Sequence, residues 1–186
     1  MTSISQTLLW LLLEDDTGRL LIDRQATARA LTVAARADAE IGATHTSDAA
    51  LPPGQLRERS LRSLQSTHRV RRATMRSAGF WPSACWPTTD PLGKQAERRT
   101  LQWALFDAQP PGPATRILIA TLHTVDALAA QCPQWARYET MRCARRIIHS
   151  DGDCTRIVES LRRADRRALA QSFSLGARPL FAGRPA

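Results

Sequence analysis

A mainly α fold, a helical bundle of about seven helices with one β-hairpin, is what this sequence predicts. Three observations carry the prediction. Apolar residues recur at helical spacing in seven stretches of the 186-residue chain. Those stretches are separated by Gly, Pro or Asp-Gly breaks such as Pro52-Pro53-Gly54, Pro110-Pro111-Gly112-Pro113 and Asp151-Gly152. One segment alone, Ala78–Pro91, sets Phe80, Trp81 and Trp86 beside Pro82 and Pro87, a pattern for an irregular exposed hairpin rather than a helix.

In chain order, Ser5–Glu14 reads as a short buried helix capped by Ser3 or Ser5. Glu14–Gly18 is a turn, with Gly18 at positive φ, and Arg19–Asp23 is a short extended piece. Gln25–Ile41 has an Ala-rich helical composition and stops at Gly42. Ala43–Gly54 is a loop. Gln55–Thr67 is a helix whose inner side is Leu56, Ser60 or Leu61, and Leu64, leaving Arg57, Arg59 and Arg62 to face elsewhere.

Arg69–Arg76 and Gly79–Thr89 form two strands around a turn. Leu92–Phe106 returns to helix with Leu101, Leu105 and Trp103 inward. Ala114–Ala130, the most apolar segment, is the central core helix and ends at Cys132-Pro133. Trp135–His149 and Thr155–Gln171 are the last two helices, with Asp153 as an N-cap between them. Residues 1–173 form one domain, with the hairpin at about 70–90. Ser174–Ala186 is a frayed tail.

The charge is unevenly placed. Residues 1–55 hold four Arg and seven acids, a net of −3; residues 56–186 hold twenty-two basic and ten acidic residues, a net of +12, giving +9 in all. Lys94 is the only lysine. Arg57, Arg59, Arg62, Arg69, Arg71, Arg72 and Arg76 lie within twenty residues, opposed by Glu58 alone. Such a surface suits a polyanion: lipid headgroups, nucleic acid or an acidic protein.

Catalytic signatures are missing. No serine lies in a nucleophile elbow, and there is neither a GxxxxGK[ST] nor a GxGxxG phosphate loop. Cys85, Cys132, Cys143 and Cys154 form no CxxC pair, so the expectation is free thiols, no metal and no cofactor. Asp151-Gly-Asp153 opens like an acidic metal loop, but its twelfth position is Arg162. His123 reads as a satisfied core histidine rather than a catalytic one, with Asp126 three residues on to hydrogen-bond either to it or to a turn. No secretory leader is predicted, and the run Leu8–Leu13 is far too short to span a bilayer, which needs about 20 apolar residues.

The order of segments resembles the Golgi phosphoprotein 3 family, in particular its actinobacterial members. SQTLLWLLLEDDTGRLLID (Ser5–Asp23) is similar to that family's opening helix and acidic-Gly turn; Leu56–Asp90 is similar to its basic helix and hairpin; ILIATLHTVDALAA, within Ala114–Leu169, is similar to its leucine-rich core segment. The resemblance implies an all-helical fold with one hydrophobic hairpin. It implies a non-enzymatic peripheral membrane protein that binds phosphatidylinositol 4-phosphate-like headgroups and acts as an adaptor for protein clients on the cytoplasmic face of a membrane. Its hairpin would serve membrane contact or oligomerisation.

Carried over by position, the family's headgroup tryptophan falls at Asp23. Its first arginine falls near Leu31 or Thr32, with Arg29 the closest substitute, and its paired arginines fall at Gly54 and Arg57. The segment between the second helix and the basic helix is shorter than the family's usual one. On this reading Arg57, Arg59 and Arg29 meet anionic headgroups, and Phe80, Trp81 and Trp86 of the hairpin enter the interface.

Two other readings stay open. A basic helix followed by a hairpin with an aromatic tip also describes a winged-helix-like DNA-binding module, although Pro52-Pro53-Gly54 interrupts any compact helix-turn-helix. A degenerate family member without lipid binding would serve protein contacts alone.

Overall fold

The computed structural model describes residues 3–42, 50–75, 83–107 and 110–176. Within them lie α1 (Ile4–Leu12), α2 (Arg24–Glu40), α3 (Pro53–Ser66), β1 (Ala73–Met75), β2 (Ser83–Cys85), α4 (Pro91–Phe106), α5 (Pro113–Thr124), a 3-10 turn (Ala129–Gln131), α6 (Arg137–His149) and α7 (Gly152–Gly176). The mainly α bundle with one antiparallel hairpin is the fold the sequence predicts.

α1 is apolar on every side, and Leu8, Leu9, Trp10, Leu11 and Leu12 are fully buried. A helix of that kind belongs at the centre of a bundle, and α1 packs on α2, α3, α4 and α5. Burial leaves its terminal backbone groups without water, so side chains from elsewhere must satisfy them. At the N-terminus Ser3 Oγ accepts from Gln6 N, and buried Asp38 of α2 accepts from Ile4 N (2.6 Å), Ser5 N (3.0 Å) and Ser5 Oγ (2.8 Å). At the C-terminus Gln131 Nε2 donates to Leu11 O (3.1 Å), and Lys94 Nζ donates to Leu13 O (2.5 Å).

The central position therefore belongs to α1 as much as to the segment after Pro113. That segment is not one helix to Ala130. α5 ends at Thr124, Asp126 takes φ +58°, and a separate 3-10 turn follows. No Gly or Pro marks the break. Trp103 is a second correction: Leu101 and Leu105 are buried, but Trp103 is 63% exposed. The α7 cap is a third. Asp151, not Asp153, accepts from the backbone N of Asp153 (2.8 Å) and Cys154 (3.2 Å). α7 also continues to Gly176, past the expected end at Gln171.

The hairpin pairs Ala73 with Cys85, Thr74 with Ala84 and Met75 with Ser83, and a bridge joins Val70 to Thr88. On the body side the strands begin at Ala73 and end at Cys85, short of the expected Arg69 and Thr89, and residues 76–82 lie outside the described residues. The hairpin base docks on the turn after α1: Trp86 N donates to Gly18 O, Thr88 N to Asp15 O, and Trp10 Nε1 to Thr88 Oγ1. Gly18 takes φ +63°, as expected from the turn. A Cβ there would lie 2.0 Å from the backbone carbon of Trp86. Both the turn and the close approach require glycine. No described helix is long and apolar enough to cross a membrane.

Candidate anionic-ligand surface

α3 starts on Pro53 and buries Leu56, Ser60, Leu61 and Leu64, as its spacing predicts. The arginines in and after it do not act as one block. Arg62 is neutralised by Glu58 at 2.7 Å, one turn away. Arg69 turns inward, its guanidinium 4.6 Å from the Trp10 ring centre. Arg59, Arg71 and Arg72 are exposed, and Arg76 lies outside the described residues.

Arg57 is in a different situation. It is half-buried, and its Nε is shielded from solvent without a hydrogen-bond partner. Burial, and then the charge of Arg24, push its guanidinium below the usual arginine range. Burial of a cation beside a like charge is costly, and an incoming anion relieves both effects. Arg24 is the first residue of α2, a neighbour that only the packing of α2 on α3 brings to Arg57.

Arg29 lines an open groove between α2 and α7, with Pro53 of α3 also on its wall and a volume of about 400 Å³. Its floor is Ala28, Val33, Leu161 and Ala164, and its cations are Arg29, Arg36, Arg163 and Arg167. Arg29 is paired with Asp165 at 2.6 Å. Of Leu31 and Thr32, near which the family's first pocket arginine was expected to fall, Leu31 is buried in the core and Thr32 lines this groove, as does Pro53 beside Gly54. The sequence reading missed Arg24, Arg163 and Arg167. The signal available for the last two was their i, i+4 spacing on one helix face.

Of the hairpin aromatics, Phe80 and Trp81 lie outside the described residues. Trp86, expected with them at the interface, is half-buried and packs against the core at the hairpin base. Its backbone, held against Gly18, ties the hairpin base to the body.

Burial pushes the Cys132 and Cys154 thiols up to about 11, which keeps them protonated and unreactive at neutral pH. No described group of His, Cys, Asp and Glu is placed to hold a metal ion. His123 corrects an expectation. Neither of its ring nitrogens has a hydrogen-bond partner, and Asp126, its expected partner, is instead engaged by Arg137 at 2.6 Å.

The model of the family described as Golgi phosphoprotein 3 (GPP34) matches residues 41–168. That span runs from the end of α2 into α7 and includes the hairpin. Among curated proteins no match is found.

Proposed function

The chain belongs to the Golgi phosphoprotein 3 (GPP34) family, and we propose that it works without catalysis as a peripheral membrane protein that recognises anionic headgroups and serves as an adaptor for protein clients. The observation that carries this reading is the Arg24–Arg57 pair: two guanidiniums close enough to repel, one with a buried and unpartnered Nε. Arg59, Arg71 and Arg72 add exposed positive charge on the same chain segment. Each cation brought to an anionic leaflet contributes about 1 kcal/mol. A few such contacts give reversible, salt-sensitive attachment, and insertion of Phe80 and Trp81 adds an apolar contribution of about 25 cal/mol per Å² removed from water.

Co-sedimentation with anionic vesicles over a salt series tests this reading. The wild type binds at low salt and is released as salt rises, and the Phe80→Ser/Trp81→Ser variant binds more weakly at every point. No binding to anionic vesicles, or undiminished binding by the double variant, contradicts it. Duplex DNA is the control ligand, since a winged-helix-like module would show a steep log-affinity slope against log salt.

A further inference from the structure

We propose that the groove between the end of α4 and the start of α5 binds an arginine-proline segment, and that its occupant is Arg178–Phe181 of a second copy of this chain. Trp103, Asp107, Pro110, Pro111 and Thr115 line the groove, which holds about 250 Å³. That is below the range of about 300–1,000 Å³ for small-molecule pockets, and it suits one or two side chains of a larger partner. The Trp103 indole is exposed with no described cation over it, whereas Arg69 covers Trp10. Asp107 lies one turn on from Trp103, on the same face of the chain. Among the described residues its carboxylate has no ion pair or hydrogen bond, while Asp15, Glu58, Asp126 and Asp151 are each taken by a cation. A chain of net charge +9 thus leaves an acid open beside a bare indole.

This set of groups matches the chemistry of an arginine-proline segment. Aromatic walls take the rings of an extended proline-containing segment, which has little conformational entropy to lose. A carboxylate takes a guanidinium through charge-assisted hydrogen bonds, and the indole face attracts the same cation. The apolar surface continues past the groove: Phe106, three residues after Trp103, stacks on Trp135 with ring centres 4.0 Å apart, and Trp135 is itself exposed.

Residues 177–186, ARPLFAGRPA, follow α7. They contain Arg178 and Arg184 and no acid, and the charged residue of the groove lining is Asp107. Read in order, Arg178 supplies the cation for Asp107, Pro179 the ring for Trp103, and Leu180 and Phe181 the apolar side chains for the Phe106–Trp135 surface. Its own groove is out of reach of this segment. α5 and α7 start side by side, because Arg116 pairs with Asp151 at 2.7 Å, and the groove residue Thr115 adjoins Arg116. The 25 residues of α7 then run about 37 Å to Gly176, and Arg178 adds about 7 Å of chain at most. A second copy therefore supplies the segment. The contact is head-to-tail, so it builds open chains rather than a closed dimer. It is also small, so association is weak and reversible. The groove shares no residue with the anionic-ligand surface.

A synthetic peptide of sequence ARPLFAGRPA, titrated into the full chain and followed by amide and indole chemical shifts, tests the groove. Asp107→Asn is compared with Asp16→Asn, an equal charge loss at an exposed position off the groove, and thermal melts check that both variants fold. The expected result is saturable shifts at Trp103, Asp107 and the start of α5, with affinity lower by about fivefold or more in Asp107→Asn and little changed in Asp16→Asn. A peptide with Arg178→Gln should lose a similar factor on the wild type and nothing further on Asp107→Asn, because the two changes remove one interaction. Sedimentation velocity tests the occupant: the mean mass of the wild type rises with concentration, and that of full-length Arg178→Gln does not. Absent or scattered shifts, or equal weakening by the two aspartate variants, overturns the groove. Peptide binding at the groove with unchanged self-association in Arg178→Gln overturns the second copy as its occupant and gives the groove to a different arginine-proline partner.

Discussion

Lys94 Nζ lies 2.6 Å from Asp15 Oδ1 although the lysine is fully buried. The same ammonium donates to Leu13 O, while Arg98 grips Asp15 with both guanidinium nitrogens at 2.7 and 3.0 Å. The only lysine of the chain is therefore a structural pin. It ties α4 to the end of α1 and to the turn that holds the hairpin. Burial would raise the Asp15 carboxyl, but the bonds from Arg98 and Lys94 outweigh it and hold the carboxyl below its ordinary range. For Lys94 the balance goes the other way, and desolvation pushes the ammonium down despite Asp15.

Lys94→Ala removes the pin and leaves Leu13 O without its donor. The expected loss is about 2–3 kcal/mol, toward the low side for a broken buried pair because Asp15 stays 40% exposed. Urea unfolding measures it. Asp15→Asn should also destabilise, since it leaves a buried ammonium without its counter-ion. Because the Asp15 carboxyl is depressed in the folded protein, its stabilisation is present above the ordinary aspartate range and is lost as pH falls through the folded value.

Gly18→Ala tests the clamp between the turn and the hairpin. Left-handed backbone alone costs an alanine about 1 kcal/mol, and the added Cβ would also collide with the Trp86 backbone. Gly42→Ala is the comparison: it has φ +70° and no described atom within 4 Å of an added Cβ. Thermal melts should show a clearly larger loss at Gly18 than at Gly42. Equal losses would mean that the hairpin base moves aside freely.

His123 gives the protein an acid-sensitive joint. Burial first, then Arg145 of α6 and Arg162 of α7, push its imidazole below its ordinary value of 6.5; His149 adds to this, and Asp126 opposes it only in part. The folded state thus binds a proton less readily than the unfolded chain. Stability is present above the ordinary histidine range and declines as pH falls below it, toward the folded value. His123→Leu should flatten that decline. It should also raise stability by about 1 kcal/mol at neutral pH, since two unpartnered ring nitrogens are removed. Urea midpoints at neutral and mildly acidic pH measure both effects.

Much of the fold was legible because it follows from spacing. Leu56, Leu61 and Leu64 of α3, Leu101 and Leu105 of α4, the Ser3 cap and the Gly18 turn all rest on local rules. What failed depended on distant partners. The break after Thr124 has no Gly or Pro to announce it. Trp103 carries a large apolar side chain, yet α4 turns it outward. Asp38 looks like an exposed helix acid until its helix is packed against the α1 N-terminus.

The site divides in the same way. The cationic excess and the position of Arg57 could be read from composition and order. The like-charged neighbour Arg24 could not, because it lies on another helix. Nor could the fate of Arg62 and Arg69, whose charges are spent on Glu58 and Trp10. The arginine-rich segment Arg57–Arg76 thus yields fewer available cations than a count suggests.

The central claim is that the unneutralised guanidinium of Arg57 helps hold this protein on an anionic bilayer. Vesicle co-sedimentation of Arg57→Gln beside Arg142→Gln, an equal charge loss at an exposed position of α6, tests it most directly. The account predicts binding reduced about fivefold or more for Arg57→Gln at low salt, against a small change for Arg142→Gln. Indistinguishable binding by the two variants, or by Arg57→Gln and the wild type, would contradict it.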